Sequence, residues 1–253
     1  RPASGILQQL PGLFGAENPE LIAFENFQAT YTKNDNILVV VQPKDGKLFT
    51  ADQAAAVERI TAEAWKTPFA IRVDSVTNFQ HSWADGDDLT VEDLVRDGAK
   101  MSAEELSRRT AIALAEPLLR GNLISRSAET TGVNIVLQYP EKSLTEVPAA
   151  VAHVRAVRDA ILKDHPDLTI ALTGVSMLNN AFAESGQTDA ATLIPVMYGV
   201  SLVFMVVMLR SVTGTISTLL VIGFSTVAAM WFAGYVGTKL TPVSVTAPTI
   251  VLT

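Results

Sequence analysis

The sequence predicts an α+β domain followed by transmembrane α-helices, and three observations carry that expectation. Nineteen Lys and Arg and 26 Asp and Glu give 19 + 26 = 45 formal charges, yet every acid lies at or before Asp189 and only Arg210 and Lys239 follow it. Behind Asp189 come two long uncharged runs, "AATLIPVMYGVSLVFMVVML" (190–209) and "TISTLLVIGFSTVAAMWFAGYV" (215–236). Ahead of it, strand-like and helix-like patterns alternate, separated by capping and turn residues.

The apolar runs set the class. A helix rises about 1.5 Å per residue, so about twenty residues match a hydrocarbon core about 30 Å thick. Helices of soluble proteins average about eleven or twelve residues, which argues against two such runs lying in a soluble core. Both runs sit late in the chain, which excludes a cleaved signal peptide. Asp189, Arg210 and Lys239 mark the expected membrane boundaries, and "VTAPTIVLT" (245–253) reads as the start of a further span. In the second run Ser225, Ala229, Ala233 and Gly237 recur every fourth residue, a small-residue face suited to packing on another membrane helix.

The first 189 residues carry 17 bases and 26 acids, a net 17 − 26 = −9, and an acidic surface of that kind excludes nucleic-acid binding. The absence of cysteine excludes disulfides and thiolate zinc sites. "NILVVVQP" (36–43) reads as a strand, and "PKDG" (43–46) as a turn. Thr50 and Gln53 form a capping-box pair that opens a helix, with Ala56, Val57 and Ile60 on its apolar face and an end near Trp65. "FAIRVDSVTNF" (69–79) is the second expected strand, and "ADGDDLTVEDLVRDG" (84–98) an acidic loop. A second capping box, Ser102 and Glu105, opens a helix to about Leu119. "VNIVLQY" (133–139) is a third strand, and Pro148 starts a helix whose face carries Val147, Val151, Val154, Val157 and Ile161. "PDLTIALTG" (166–174) is the fourth strand, and a helix beginning near Met177 runs on toward Ala190. Without the inserted helix the order is β-α-β then β-α-β, matching the ferredoxin-like split βαβ unit.

The sequence carries little that points to other chemistry. His81, His153 and His165 are scattered, with no partner at metal-ligand spacing. Asp85–Asp93 invites a calcium reading but lacks the Gly and Glu of an EF-hand loop at their positions, which leaves a solvated acidic loop. Ser176 and Ser201 each follow a glycine by two residues but lack the second glycine of a nucleophile elbow. No phosphate-cradling glycine loop and no 20–50-residue repeat occurs, so neither an enzyme nor a cofactor is expected.

A family resemblance emerges from the order of several short stretches. Asp189 with "LIP" (193–195), "LRS..G" (209–214), "AG..G..LTP.S" (233–244) and "AP.I.LT" (247–253) resemble the resistance-nodulation-division (RND) superfamily, in its hydrophobe-exporter and MmpL-like branch. "DGKLFT" (45–50) and "RVDSVTN" (72–78) are similar to the first porter half of that branch. The likeness runs over most of residues 24–253 and is most specific after Leu178. It implies a piece of a proton-coupled bacterial inner-membrane exporter. Residues 1–23 would be an arm or the loop after a first membrane helix, 24–189 an extracytoplasmic porter domain, and 190–209 and 215–236 spans. The implied partners are membrane lipids, a hydrophobic or lipid-like substrate, and the remaining helices and second porter half; a homo-oligomer is compatible with the resemblance. Proton-relay residues are expected beyond Thr253. The competing expectation is a membrane-anchored lipid- or protein-binding module without transport, distinguished by whether an acidic residue and more spans follow. Lys and Arg near the spans tie at one on each side, so orientation rests on the resemblance, with residues 1–189 outside.

Overall fold

The computed structural model describes residues 18–31, 35–140 and 142–236. The expected further span at 245–253, Lys239 and Gly237 lie outside the described residues, as does most of the N-terminal arm. The chain divides into two compact units, Arg1–Asn180 and Ala181–Thr253.

The first unit is built on β1 (Asn36–Pro43), β2 (Ala70–Asp74), β5 (Thr131–Leu137) and β6 (Leu168–Thr173), in the order β2-β5-β1-β6. Each neighbouring pair is antiparallel. Strand β1 alternates, with Ile37, Val39 and Val41 buried, as expected when one face of a sheet meets the core. In register, Ile37 lies opposite Ile135, Val39 opposite Val133, and Val41 opposite Ile170. Helix α2 (Ala51–Ala64) contributes Val57 and Ile60 to the same core, and helix α4 (Glu146–Asp164) contributes Val151, Val154 and Ile161.

Local chemistry explains the boundaries, including those that differ from expectation. Thr50 caps α2, its hydroxyl accepting from the Gln53 N–H at 3.3 Å. Strand β2 stops at Asp74 rather than Phe79 because Ser75 and Asn78 offer the backbone other partners. The Asn78 amide oxygen accepts from the Ser75 N–H at 2.8 Å and its nitrogen donates to the Val73 carbonyl at 2.7 Å. Helix α3 (Ala103–Ala115) ends before the expected Leu119, since Glu116 precedes Pro117 and is extended (φ −81°, ψ 115°), the conformation a following proline favours. Helix α4 starts at Glu146, with Pro148 in its first turn where no intrahelical N–H bond is needed. Across the expected boundary between the arm (1–23) and the porter domain a helix, α1 (Pro19–Thr30), forms; Asn18 caps it, its side chain accepting from the Glu20 N–H at 2.9 Å, with Pro19 at its first position.

The acidic loop is the largest departure. Residues 80–93 form a two-stranded hairpin, β3 (Gln80–Asp85) with β4 (Asp88–Asp93). Two residues, Gly86 and Asp87, make its turn; Gly86 has φ +65°, the left-handed conformation that tight hairpin turns demand. Asp85–Asp93, considered above for calcium, thus lies mostly in paired strands. Arg109 of α3, buried at 7% exposure, holds the hairpin, pairing with Glu92 of β4 and with Glu105 one helical turn back. Glu105 is half of an expected capping box. Its N–H does donate to Ser102 Oγ at 3.2 Å, but its carboxylate takes Arg108 and Arg109 instead of turning back.

Hydrogen bonds from Arg108 and then Arg109 hold the Glu105 carboxyl down at about 2, below its ordinary 4.5. A depressed carboxyl stabilises the fold at pH values above 4.5, and the contribution disappears as pH falls toward 2. Arg109→Ala is expected to cost about 1.5–3 kcal/mol, the range for charged hydrogen bonds whose acceptors lose a buried donor. Chemical unfolding in detergent checks it at neutral pH, where the loss should be full; at pH 2 to 3 the difference from wild type should shrink.

The second unit contains most of α5 (Val175–Leu209) and all of α6 (Val212–Tyr235). Of the five residues between the two uncharged runs, 210–214, only Arg210 and Ser211 lie outside the helices. Ser211 Oγ accepts from the Gly214 N–H at 3.2 Å and caps α6, so this helix starts at Val212 instead of Thr215.

Candidate functional site

Helices α5 and α6 are each long and apolar enough to cross a membrane, and their apolar windows are unburied within the protein. Val200, Val203, Phe204 and Val207 on α5 and Val221, Phe224, Val227 and Trp231 on α6 are all exposed. Apolar surface of this extent is unfavourable in water and favourable in lipid. Pro195 sits inside α5 without ending it; spanning helices tolerate proline where local polar groups and neighbouring helices accommodate the freed carbonyl.

The expected boundary and packing residues fall as follows. Asp189 lies exposed within α5, and Arg210 is exposed in the break between the helices, with φ +47°. That conformation costs a non-glycine residue about 1–2 kcal/mol, so the break between α5 and α6 falls at a strained arginine. Ser225 and Ala229 are exposed on α6 and Ala233 is half-buried. Two residues to either side of Ala233, Trp231 stacks on Tyr235 with ring centroids 5.8 Å apart.

Two polar features of the first unit were not legible in the sequence. A cleft of about 670 Å³ is lined by Leu38, Arg72, Asp74, Asn78, Leu118 and Asn122 among others. Leu38 and Asn134 alternate with core residues, so the cleft lies on the sheet face turned away from α2 and α4. At its edge Arg72 pairs with Asp74 at 2.8 Å. The second feature gathers Asp52, His165 and Asp167, whose ligand-capable atoms all lie within 4.8 Å of one another. His165 has no metal-ligand neighbour in sequence, and the fold brings Asp52 and Asp167 beside it. His81 instead stacks on Trp83 at 5.4 Å, and His153 Nε2 lies 3.3 Å from the Glu63 carbonyl.

Ser176 is buried and accepts a hydrogen bond of 3.0 Å from the Tyr139 hydroxyl, which fixes the start of α5 to the end of β5. Burial pushes the Tyr139 hydroxyl up to about 12, so it remains a neutral donor. The pair is a structural contact. Ser201 lies exposed on α5.

An α+β unit followed in the chain by two exposed apolar helices of spanning length defines a membrane protein with a substantial domain outside the bilayer. The sequence model of the MMPL family matches residues 16–253, and the chain belongs to that family. Its members are membrane transporters of the RND type, which bears out the resemblance read from the short motifs. No curated protein matches the chain significantly.

Proposed function

We propose that the chain is the first porter half and following membrane helices of a proton-coupled exporter of hydrophobic or lipid-like substrates in a bacterial inner membrane. The observation that carries this reading is the family match across residues 16–253, over both the α+β unit and the two apolar helices. The sheet order β2-β5-β1-β6 with antiparallel neighbours supports a ferredoxin-like split βαβ porter unit, in which two β-α-β halves interleave. Residues 1–189 stand on the extracytoplasmic side and Arg210 meets the cytoplasmic headgroups, where a cation is favoured by anionic lipid. Asp189 and Lys239 mark the opposite boundary. Ser225, Ala229, Ala233 and Gly237 form a seam against another helix of the transporter. The mixed apolar and polar cleft at Leu38 and Arg72 is the first unit's contact surface for an amphipathic substrate.

The test is the full-length transporter reconstituted in liposomes with a fluorescent lipid analogue and an imposed proton gradient. Extrusion should follow the gradient and cease with an uncoupler; equal flux with and without the gradient would refute proton coupling. Protease added to intact spheroplasts should digest the first unit. Digestion only after the membrane is broken would reverse the orientation.

A further inference from the structure

We propose that Asp52, Gln53, His165 and Asp167 bind one divalent transition-metal ion of zinc's coordination chemistry. Asp52 and Gln53 occupy the first turn of α2; His165 and Asp167 flank the short connection from α4 to β6. The two carboxylates and the imidazole place ligand-capable atoms within 4.8 Å of one another. His165 Nδ1 is already directed at Asp52 Oδ2, at 3.2 Å. Metal–ligand bonds of about 2.0–2.2 Å would seat an ion among these three with side-chain adjustments of about an ångström.

Gln53 is the independent observation. It is 6% exposed, its amide nitrogen donates to Asp167 Oδ2, and its amide oxygen is buried without a hydrogen-bond partner. The two heads of an amide are about 2.3 Å apart by bond geometry, so that orphaned oxygen lies beside the Asp167 carboxylate. A carbonyl oxygen withdrawn from water is costly unless something electropositive meets it, and a cation among Asp52, His165 and Asp167 would do so. Gln53 also stands where a capping box would return its side chain to Thr50; the amide reaches Asp167 instead.

The donor set selects the ion. Calcium and magnesium prefer oxygen ligands alone, whereas imidazole with carboxylates suits zinc and its neighbours. Two carboxylates supply the charge a dication needs. The nearby Lys44 ammonium is engaged by the Pro166 carbonyl at 2.8 Å. Asp52 and His165 are 113 residues apart, as Gln53 and Asp167 are 114, so the ion would clip the start of α2 to the entry of β6 across a long loop.

Zinc chloride titrated into the full chain in detergent, in competition with a chromophoric chelator, tests the site. One equivalent should bind and raise the melting temperature by linkage. Asp52→Asn, at an exposed position, and His165→Ala, at a half-buried one, should keep the circular dichroism spectrum and each weaken zinc binding about tenfold or more. Three results would overturn the proposal: no stoichiometric binding, unchanged affinity in the double variant, or magnesium bound as tightly as zinc.

Discussion

Gly174→Ala is expected to destabilise the first unit by about 2–5 kcal/mol, the sum of a strained backbone and an overpacked contact. Gly174 joins β6 to α5 with φ +113°, where side chains are rarely found. A Cβ there would stand 2.5 Å from the Asn36 carbonyl oxygen and 3.1 Å from Ile37 Cα. Neither atom can retreat cheaply, since both belong to β1, which pairs with β5 at these two residues and with β6 from Leu38 onward. Asn36 is further held by its side chain, which donates to Asn134 Oδ1 at 2.8 Å and accepts from the Val175 N–H at 3.2 Å. Thermal unfolding in detergent checks the expectation against Gly186→Ala, where nothing lies within 4 Å of the added methyl. That control should be neutral or stabilising by up to about 1 kcal/mol, as alanine is in a helix. Equal melting temperatures for the two variants would show that β1 yields to the methyl.

Ile135→Ala should cost about 2–5 kcal/mol, the range for emptying a fully buried aliphatic site. Ile135 is completely buried on β5, opposite the equally buried Ile37 of β1, so both walls of the resulting cavity are central strands that cannot collapse readily. Val136→Ala, on the half-buried other face of the same strand, should cost clearly less. Similar losses at both positions would mean that the side of the sheet bearing α2 and α4 is not the main core. Both sites hold β-branched residues on one strand, so the comparison nearly cancels strand propensity, and burial outweighs the one extra carbon that Ile135 loses.

The sequence by itself determined the features that repeat along the chain. The run 190–209 is spanning length because its residues are uncharged, which needs no knowledge of neighbours. The β1 residues Ile37, Val39 and Val41 and the helical stripe Val147, Val151 and Val154 are core because periodicity assigns a face to each element. Thr50 and Ser102 cap helices because an N-cap is satisfied within three residues. Two local signals were readable and missed: Asn18-Pro19 before α1, and Gly86-Asp87 between the alternating residues of β3 and β4. There the density of aspartate outweighed the turn chemistry.

Only the tertiary structure decided where side chains with several equivalent partners went. Gln53 turned to Asp167, although it stood in position for a capping box. The choice depends on which cation or carboxylate the fold brings alongside, and sequence separation of 114 residues hides that from any local pattern. The assembly of Asp52, His165 and Asp167, the cleft beside Leu38 and Asn134, and Arg109 under the hairpin share this origin. Each joins elements through chain reversals whose pairing order is not written in periodicity. Hydrophobic pattern specifies which face of an element is buried, while the strand order β2-β5-β1-β6 specifies what that element meets.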